Sequence, residues 1–436
     1  MTSNLITISA GQCGIGLGLE WWRGLCEEHG IGPDGVAKEL ETRGLDNKDV
    51  FFYQADNGRY VARAIVADLE PRVIERIDKS EFGVLFNPEN IYQSDHGGGA
   101  GNVWFSGFEQ GGEARESFLD IVQREAENAE TLEGFIMSHS VSGGTGSGFG
   151  SNILESLRDS FPKKLVETYS VFPSVHMNQN DVVLSPYNAV LTLRYLQEFS
   201  DAVIVVDNIA LHRLAVNKMV ATILTASTAP IRFYTSTYNK MADHIAELAS
   251  FDPMHFIQPG YTPFQLPNKK SKIIKTSAQE VISKLLKPTS MMVTTTPSES
   301  RKSAQHHLLS GLAIIQGHIA DVNIDDIILK MHERQKFTYP PWSGVRLGTA
   351  ISVSSPYVKR DNKVSGLLLA NHTSIANMFD QITTQCESLL RKKLHFHHFK
   401  DYDDAESNLK SSFGKVRQLI DMYDSATRQD FLMSGS

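Results

Sequence analysis

Residues 138–151 read SHSVSGGTGSGFGS, a run of glycines and small hydroxyl residues set between an apolar stretch and a helical one. EGFIMSH before it has the character of a strand, and SNILESLRDS after it that of a helix. A glycine-rich strand-to-helix turn aims backbone N–H groups outward at the positive end of a helix dipole, which makes an anion site. Each hydrogen bond from such an amide to a charged oxygen contributes about 1.5–3 kcal/mol. A flexible linker would lie between domains instead.

Two further loops have the same make-up. SAGQCGIGLGLE (9–20) also follows a strand and opens a helix, and DHGGGAGN (95–102) lies between the two in sequence. Three glycine loops at strand ends of one sheet suit a triphosphate better than a single phosphate, with glycine-rich structural turns as the alternative. Neither common phosphate fingerprint fits. The third glycine of G-x-G-x-x-G falls on Phe149 or Ser151, and the run carries no lysine for G-x-x-x-x-G-K-[ST]. Backbone donors without a loop lysine disfavour both a Rossmann dehydrogenase and a P-loop NTPase.

The elements that must position these loops alternate along the first half. LITIS, ARAIVADL, EGFIMSH, KLVETYSVFP and DAVIVVDN read as strands, with helical stretches such as EWWRGLCEEHG and ESFLDIVQREAENA between them. That order predicts an α/β fold, a mostly parallel sheet with helices on both faces and its ligand at the carboxyl ends of the strands. After about residue 234, HFIQPGYTP, KPTSMMVTTTP and GVRLGTAISV predict a second, more mixed sheet. From Ser365 the chain reads as helical, and the last helix places Phe413, Val416, Ile420 and Tyr423 on one face with Leu419 beside them. There is no internal repeat.

Composition narrows the function. With 42 basic against 50 acidic residues the net charge is −8, which argues against a nucleic-acid binder held by bulk electrostatics. Cys13, Cys26 and Cys386 form no CxxC pair and suit a reducing compartment. The N-terminus lacks a basic n-region, and no apolar run approaches a membrane span, so a cytosolic or nuclear protein is expected.

GQCG, DLEPRVI, DHGGGAGN, GGTGSG, YSVFP, PYN and VDN stand in the order and spacing of the tubulin family, which the chain resembles over nearly its whole length. DHGGGAGN and SGLLLANHTSI (365–375) look like the family's gamma branch. The resemblance implies a GTP-binding domain at 1–216, a core helix at 217–234, an intermediate domain at 235–356 and a C-terminal helical hairpin domain at 357–436. It implies GTP or GDP and Mg²⁺ as cofactors. Its partners would be gamma-tubulin complex proteins, alpha/beta-tubulin and lateral neighbours of its own kind, at a microtubule-organising centre or spindle pole. It further implies that Gly11, Gln12 and Cys13 lie against the nucleotide, that Ala100, Gly101 and Asn102 face the γ-phosphate, and that Ser140, Gly143, Gly144, Thr145 and Gly146 form the main phosphate loop. Asp68 and Glu70 would sit near Mg²⁺ through water, although DLEP taken alone reads first as a helix cap. Asp181 would contact the ribose, with Ser185 a shorter reach before PYN, and Asn208 and Asn217 would read guanine. Standing alone, Asn208 is as easily a helix cap.

Two departures from the family matter. After LHRLAV the family has a loop and an aromatic that stacks on guanine, whereas here Asn217 follows Val216 at once. So little chain remains for the crossing that a missing segment is expected there. In NKMADHIAELAS the aligned aspartate is Asp243, the one candidate for catalysis, and the catalytic-acid position falls on Ala246 with Glu247 next to it. Weak GTPase activity at most is therefore expected, the alternative being a polymer-forming GTPase with real turnover. Other features read as plain structure. LHFHHFK lacks an acid or cysteine to complete a zinc set, NKKSKIIK is a solvated loop or a contact for an acidic partner, and Trp21 and Trp22 belong to the core.

Overall fold

The computed structural model describes residues 3–38, 46–94, 97–173, 182–207, 213–233, 235, 237–263, 278–285, 290–293, 295, 301, 305–317, 338–344, 347–358, 364–402, 404–429 and 431. The basic stretch 268–275 lies outside them.

Parallel strands β1 (Asn4–Ala10), β4 (Ala64–Asp68), β5 (Ile91–Gln93), β6 (Leu132–Ser140), β7 (Leu165–Phe172) and β8 (Ala202–Asp207) form one end of a ten-stranded sheet. Its order is β11-β10-β12-β9-β8-β7-β6-β1-β4-β5. A separate hairpin pairs β2 (Phe52–Gln54) with β3 (Tyr60–Ala62). The mixed half comprises β9 (Phe256–Thr262), β10 (Leu308–Gly317), β11 (Leu347–Ser352) and β12 (Val364–His372), with β12 antiparallel to both neighbours. Two residue pairs, Val203↔Phe256 and Ile204↔Ile257, join the halves.

Alternation along each strand sends side chains to two cores. On one face Ile6, Ile8 and Phe135 pack under α3 (Trp104–Glu127), α4 (Gly150–Ser160), α5 (Ser185–Phe199), α9 (Ile375–Arg391) and α10 (Ala405–Ser425). On the other, Leu5 and Ile136 pack under α1 (Gly11–His29), α2 (Pro71–Asp78), α6 (Arg213–Arg232) and α7 (Met241–Leu248). Helix α8 (Ala278–Leu285) covers β10 and β12. Trp21 and Trp22 are buried against Phe51, Phe52 and Phe86, as their place in an amphipathic helix suggested. In α10, Val416, Leu419, Ile420 and Tyr423 are buried and Phe413 is half-buried.

Two expectations need correction. Residues 364–372 are a strand, not the start of a helix. Leu367, Leu368, Leu369 and Ala370 are buried on both faces, and an unbroken apolar run has no period to separate strand from helix. Of KPTSMMVTTTP, residues 290–293 run beside β9 through an isolated Gly260↔Met291 bridge and a Met292 N–H to Pro259 carbonyl bond of 2.9 Å, and these described residues form no longer strand. Helix α6 runs from Arg213 through Val216 and Asn217, and the approach to it lies outside the described residues.

The C-terminal ends of α1 and α6 are tied by buried charge. The Arg232 guanidinium donates to Glu28 Oε2 at 2.7 Å, to the Thr225 carbonyl at 2.6 Å and to His29 Nε2 at 3.2 Å. His29 donates its single ring proton, on Nδ1, to Asp46, which also accepts from Lys48 Nζ at 2.6 Å, and Lys48 reaches the Tyr357 hydroxyl at 3.2 Å.

Candidate functional site

The glycine loops converge at the carboxyl ends of β1, β4 and β6. Strand β1 ends at Ala10, which caps α1 with no side-chain hydrogen bond of its own. Gly11 has φ of 74°, and a Cβ there would lie 2.8 Å from the Gly146 amide nitrogen. That close approach brings the first loop onto the main turn. Gln12 is exposed and Cys13 half-exposed at the same helix end.

The main turn leaves β6 at Ser140, makes one π-helical turn over Thr145–Phe149 and continues into α4. Val141 N–H bonds the Val171 carbonyl at 3.0 Å, Ser142 N–H bonds Ser140 Oγ at 3.2 Å, and Gly148 N–H bonds the Gly144 carbonyl at 2.8 Å. Among the described residues, the amides of Gly143, Gly144, Thr145 and Gly146 have no acceptor outside their own helical turn. They are the donors an anion needs. A Cβ on Gly144 would fall 2.6 Å from Ala100 Cβ and 2.9 Å from Val103 N, so the third loop is packed directly on the main turn. Gly101 (φ 55°) and Asn102 (φ 59°) stand exposed at its tip, with no atom within 4 Å of a Cβ built on Gly101.

Asp68 ends β4 and is buried, while Glu70 two residues on is exposed and lies against Gly99, where a Cβ would be 2.7 Å from Glu70 Cγ. Asp68 Oδ1 accepts the Glu70 N–H at 3.1 Å, whereas Oδ2 is buried with no hydrogen-bond partner among the described residues. Burial pushes its pKa up to about 6 against the pull of the Glu70 and Leu69 amides. The Thr145 hydroxyl lies near enough to lower it a little, short of a regular hydrogen bond to Oδ2. A raised carboxyl pKa means that the folded chain binds its proton more tightly than the unfolded chain between pH 4 and 6, so this group costs stability above pH 6. Asp68→Asn should therefore raise the stability of the nucleotide-free protein at pH 7 by on the order of 2–3 kcal/mol. An unchanged or lower melting temperature in chelator would contradict that.

Two residues that motif reading did not single out hold the loops. His139, fully buried on β6, donates from Nδ1 to the Gly146 carbonyl at 2.8 Å and accepts from the Ser170 hydroxyl at Nε2, also at 2.8 Å. Burial lowers its pKa to about 4, so it is neutral and its tautomer is set by these partners. Between pH 6.5 and 4 the unfolded chain gains a proton that folded His139 refuses, so stability falls as pH falls through that window, by about 3 kcal/mol in all. His139→Gln should flatten this part of the pH–stability curve, measured by urea unfolding at several pH values. Asn188, on the first turn of α5, is the second residue. Its Oδ1 accepts the Trp104 N–H at 3.1 Å, and its Nδ2 donates to the carbonyls of Asn102 and Ser142, both at 2.8 Å. PYN was visible as a motif, but nothing local to it reveals partners 46 and 86 residues away.

Asp181 and Asn208 lie outside the described residues. Ser185 is buried, and its Oγ has no hydrogen-bond partner among the described residues. Asn217 faces α1, with its Nδ2 3.0 Å from a Cβ built on Gly16. Asp243, Ala246 and Glu247 are not gathered into this site. They lie on α7, whose Ala242 N–H bonds Glu133 Oε1 near the opposite end of β6, roughly 23 Å along the strand from Ser140. Glu247 accepts from the Tyr238 hydroxyl at 3.2 Å. Among the described residues no group of three or more His, Cys, Asp and Glu could hold a metal ion, and no helix is long and apolar enough to cross a membrane.

Residues 4–216 match the Tubulin/FtsZ family GTPase domain, and residues 253–384 match the tubulin C-terminal domain. The chain belongs to the tubulin/FtsZ family. The anion site at its strand ends is thus in a GTPase domain, whose ligand is GTP or GDP. Tubulin-family proteins are cytoskeletal and assemble with tubulin-type partners. In this tubulin-family chain the loops that met at β1, β4 and β6 all fall inside the matched GTPase domain, and β9, β10, β12 and most of α9 fall inside the C-terminal one.

Proposed function

We propose that this tubulin-family protein belongs to the gamma branch and nucleates microtubules at an organising centre or spindle pole, binding guanine nucleotide as a structural ligand. The observation that carries the reading is the separation of the two ends of β6. Bare amides of 143–146 stand at one end, and at the other α7 presents exposed Ala246 where the family carries a catalytic acid. A neighbour's nucleotide facing α7 meets a methyl group there, so the site favours holding nucleotide over turning it over. Gly11, Gln12, Cys13 and the 140–146 turn would surround the phosphates, Ala100–Asn102 the terminal one, and Asp181, Asn208 and Asn217 the nucleoside. Asp68 fits a hydrated Mg²⁺, since its Oδ2 is buried with no hydrogen-bond partner among the described residues, and Glu70 at the rim would take part through water. The bound ion would neutralise charge on the phosphates.

Domains at 1–216, 217–234, 235–356 and 357–436 accompany this reading, with the core helix drawn back to Arg213. Its partners are gamma-tubulin complex proteins, alpha/beta-tubulin and lateral copies of the chain. Ordering several weak sites in a row turns slow nucleation into multivalent capture. The test is assembly of alpha/beta-tubulin with and without purified complex containing this chain. The lag should shorten with it, and an unchanged lag sinks the reading. Half-exposed Asp243 on α7 supports the rival, a polymer-forming GTPase, which requires steady phosphate release and self-assembly by the isolated protein.

A further inference from the structure

We propose that Asn188 is a positioning residue that makes the 100–103 loop and the 140–146 turn one unit, and that the preference of this chain for guanosine triphosphate over diphosphate depends on it. The proposal rests on the guanine-nucleotide reading of the site.

A carboxamide nitrogen has two hydrogens, and Asn188 gives one to each loop, to the Asn102 carbonyl and the Ser142 carbonyl, both at 2.8 Å, with the Gly143 carbonyl at 3.3 Å. Its oxygen takes the Trp104 N–H, the first amide of α3. The side chain is fully buried, so these bonds have no water to replace them. In a trans peptide the C=O and the following N–H point in opposite directions. Drawing the Ser142 carbonyl toward Asn188 therefore turns the Gly143 N–H away from it, outward from the turn. The Asn102 carbonyl belongs to a non-glycine residue at φ 59°, a conformation that persists only when its surroundings hold it. Val103 N–H closes the same loop on the Ala100 carbonyl at 2.9 Å.

The two loops do different work. On the guanine-nucleotide reading, the main turn would offer its amides to phosphates common to both nucleotides, whereas exposed Gly101 and Asn102 would meet the terminal phosphate alone. Cutting the tie frees the 100–103 loop and removes its contact with the third phosphate first.

Asn188→Asp keeps the shape and the Trp104 acceptor but loses both donors. Affinities for GTP and GDP are measured by equilibrium titration of the full chain, wild type beside variant, with circular dichroism as the check on folding. The expected result is a fall in the GTP:GDP affinity ratio of about tenfold or more, with GTP binding weakened further than GDP binding. An unchanged ratio overturns the proposal, whether both affinities hold or both fall together. Wild type that binds neither nucleotide overturns the guanine reading itself, a separate arm of the same experiment. Asn188→Ser gives the comparison again should the aspartate variant not fold. Hydrogen exchange on the wild type needs no variant: amides of 100–103 and 140–146 should gain protection together with GTP, and independent behaviour of the two segments overturns the coupling.

Discussion

Gly144→Ala is expected to lower guanine-nucleotide affinity by at least about 100-fold, the equivalent of two lost hydrogen bonds to charged oxygen at about 1.5–3 kcal/mol each. The cause is contact alone. Gly144 has φ of −82°, which alanine adopts freely, but the new methyl would sit 2.6 Å from Ala100 Cβ, 2.9 Å from Val103 N and 3.0 Å from the Ala100 carbonyl oxygen. None of these atoms belongs to a side chain that can swing aside. The two loops must part, and the amides of 143–146 lose the arrangement that grips phosphate. Isothermal titration of the variant checks this beside Gly112→Ala, where the nearest atom to the new methyl is 3.9 Å away and affinity should hold. Equal affinities for wild type and Gly144→Ala would show that the packing of these loops is irrelevant to the ligand.

Arg232→Ala is expected to cost about 3–5 kcal/mol of stability, because it takes the cation from a buried ion pair and leaves the anion in place. The guanidinium is buried against Glu28 and over the Phe233 ring at 5.0 Å, and through His29 it is joined to Asp46 and Lys48. The double variant Arg232→Met with Glu28→Leu should recover most of the loss, since an apolar pair of similar volume replaces a buried ion pair at little cost. Urea unfolding of the three proteins decides it. A single variant as stable as wild type would mean that the network carries no net energy.

Much of the site could be read before any coordinates. Glycines at 143, 144 and 146 follow a strand and precede a helix, and that local order is enough to specify outward amides. The parallel half of the sheet was legible for a related reason: short β-branched runs such as AIVAD and AVIVVD end in turn residues and alternate with amphipathic helices. The run SGLLLANH misled because burial on both faces erases periodicity, and only its neighbours β9 and β10 make it a strand. LLSGLAIIQG, the sequence of β10, is buried on both faces and carries no period either. His139 and Asn188 were hidden differently. Each is an ordinary residue next to a motif, and its importance lies in bonds to carbonyls brought close by the fold.

Tyr187 and Asn188 are consecutive on α5. One side chain grips the phosphate loops, while the hydroxyl of the other bonds the Leu394 carbonyl at 3.1 Å in the turn that leads toward α10. A single rigid turn of helix thus touches both the interior ligand site and the outer helical layer, like the fulcrum end of a short lever. Thermodynamic reciprocity then applies: to whatever degree a clenched ligand shifts that outer layer, a binder seated on the layer must tighten or loosen the ligand by the same factor.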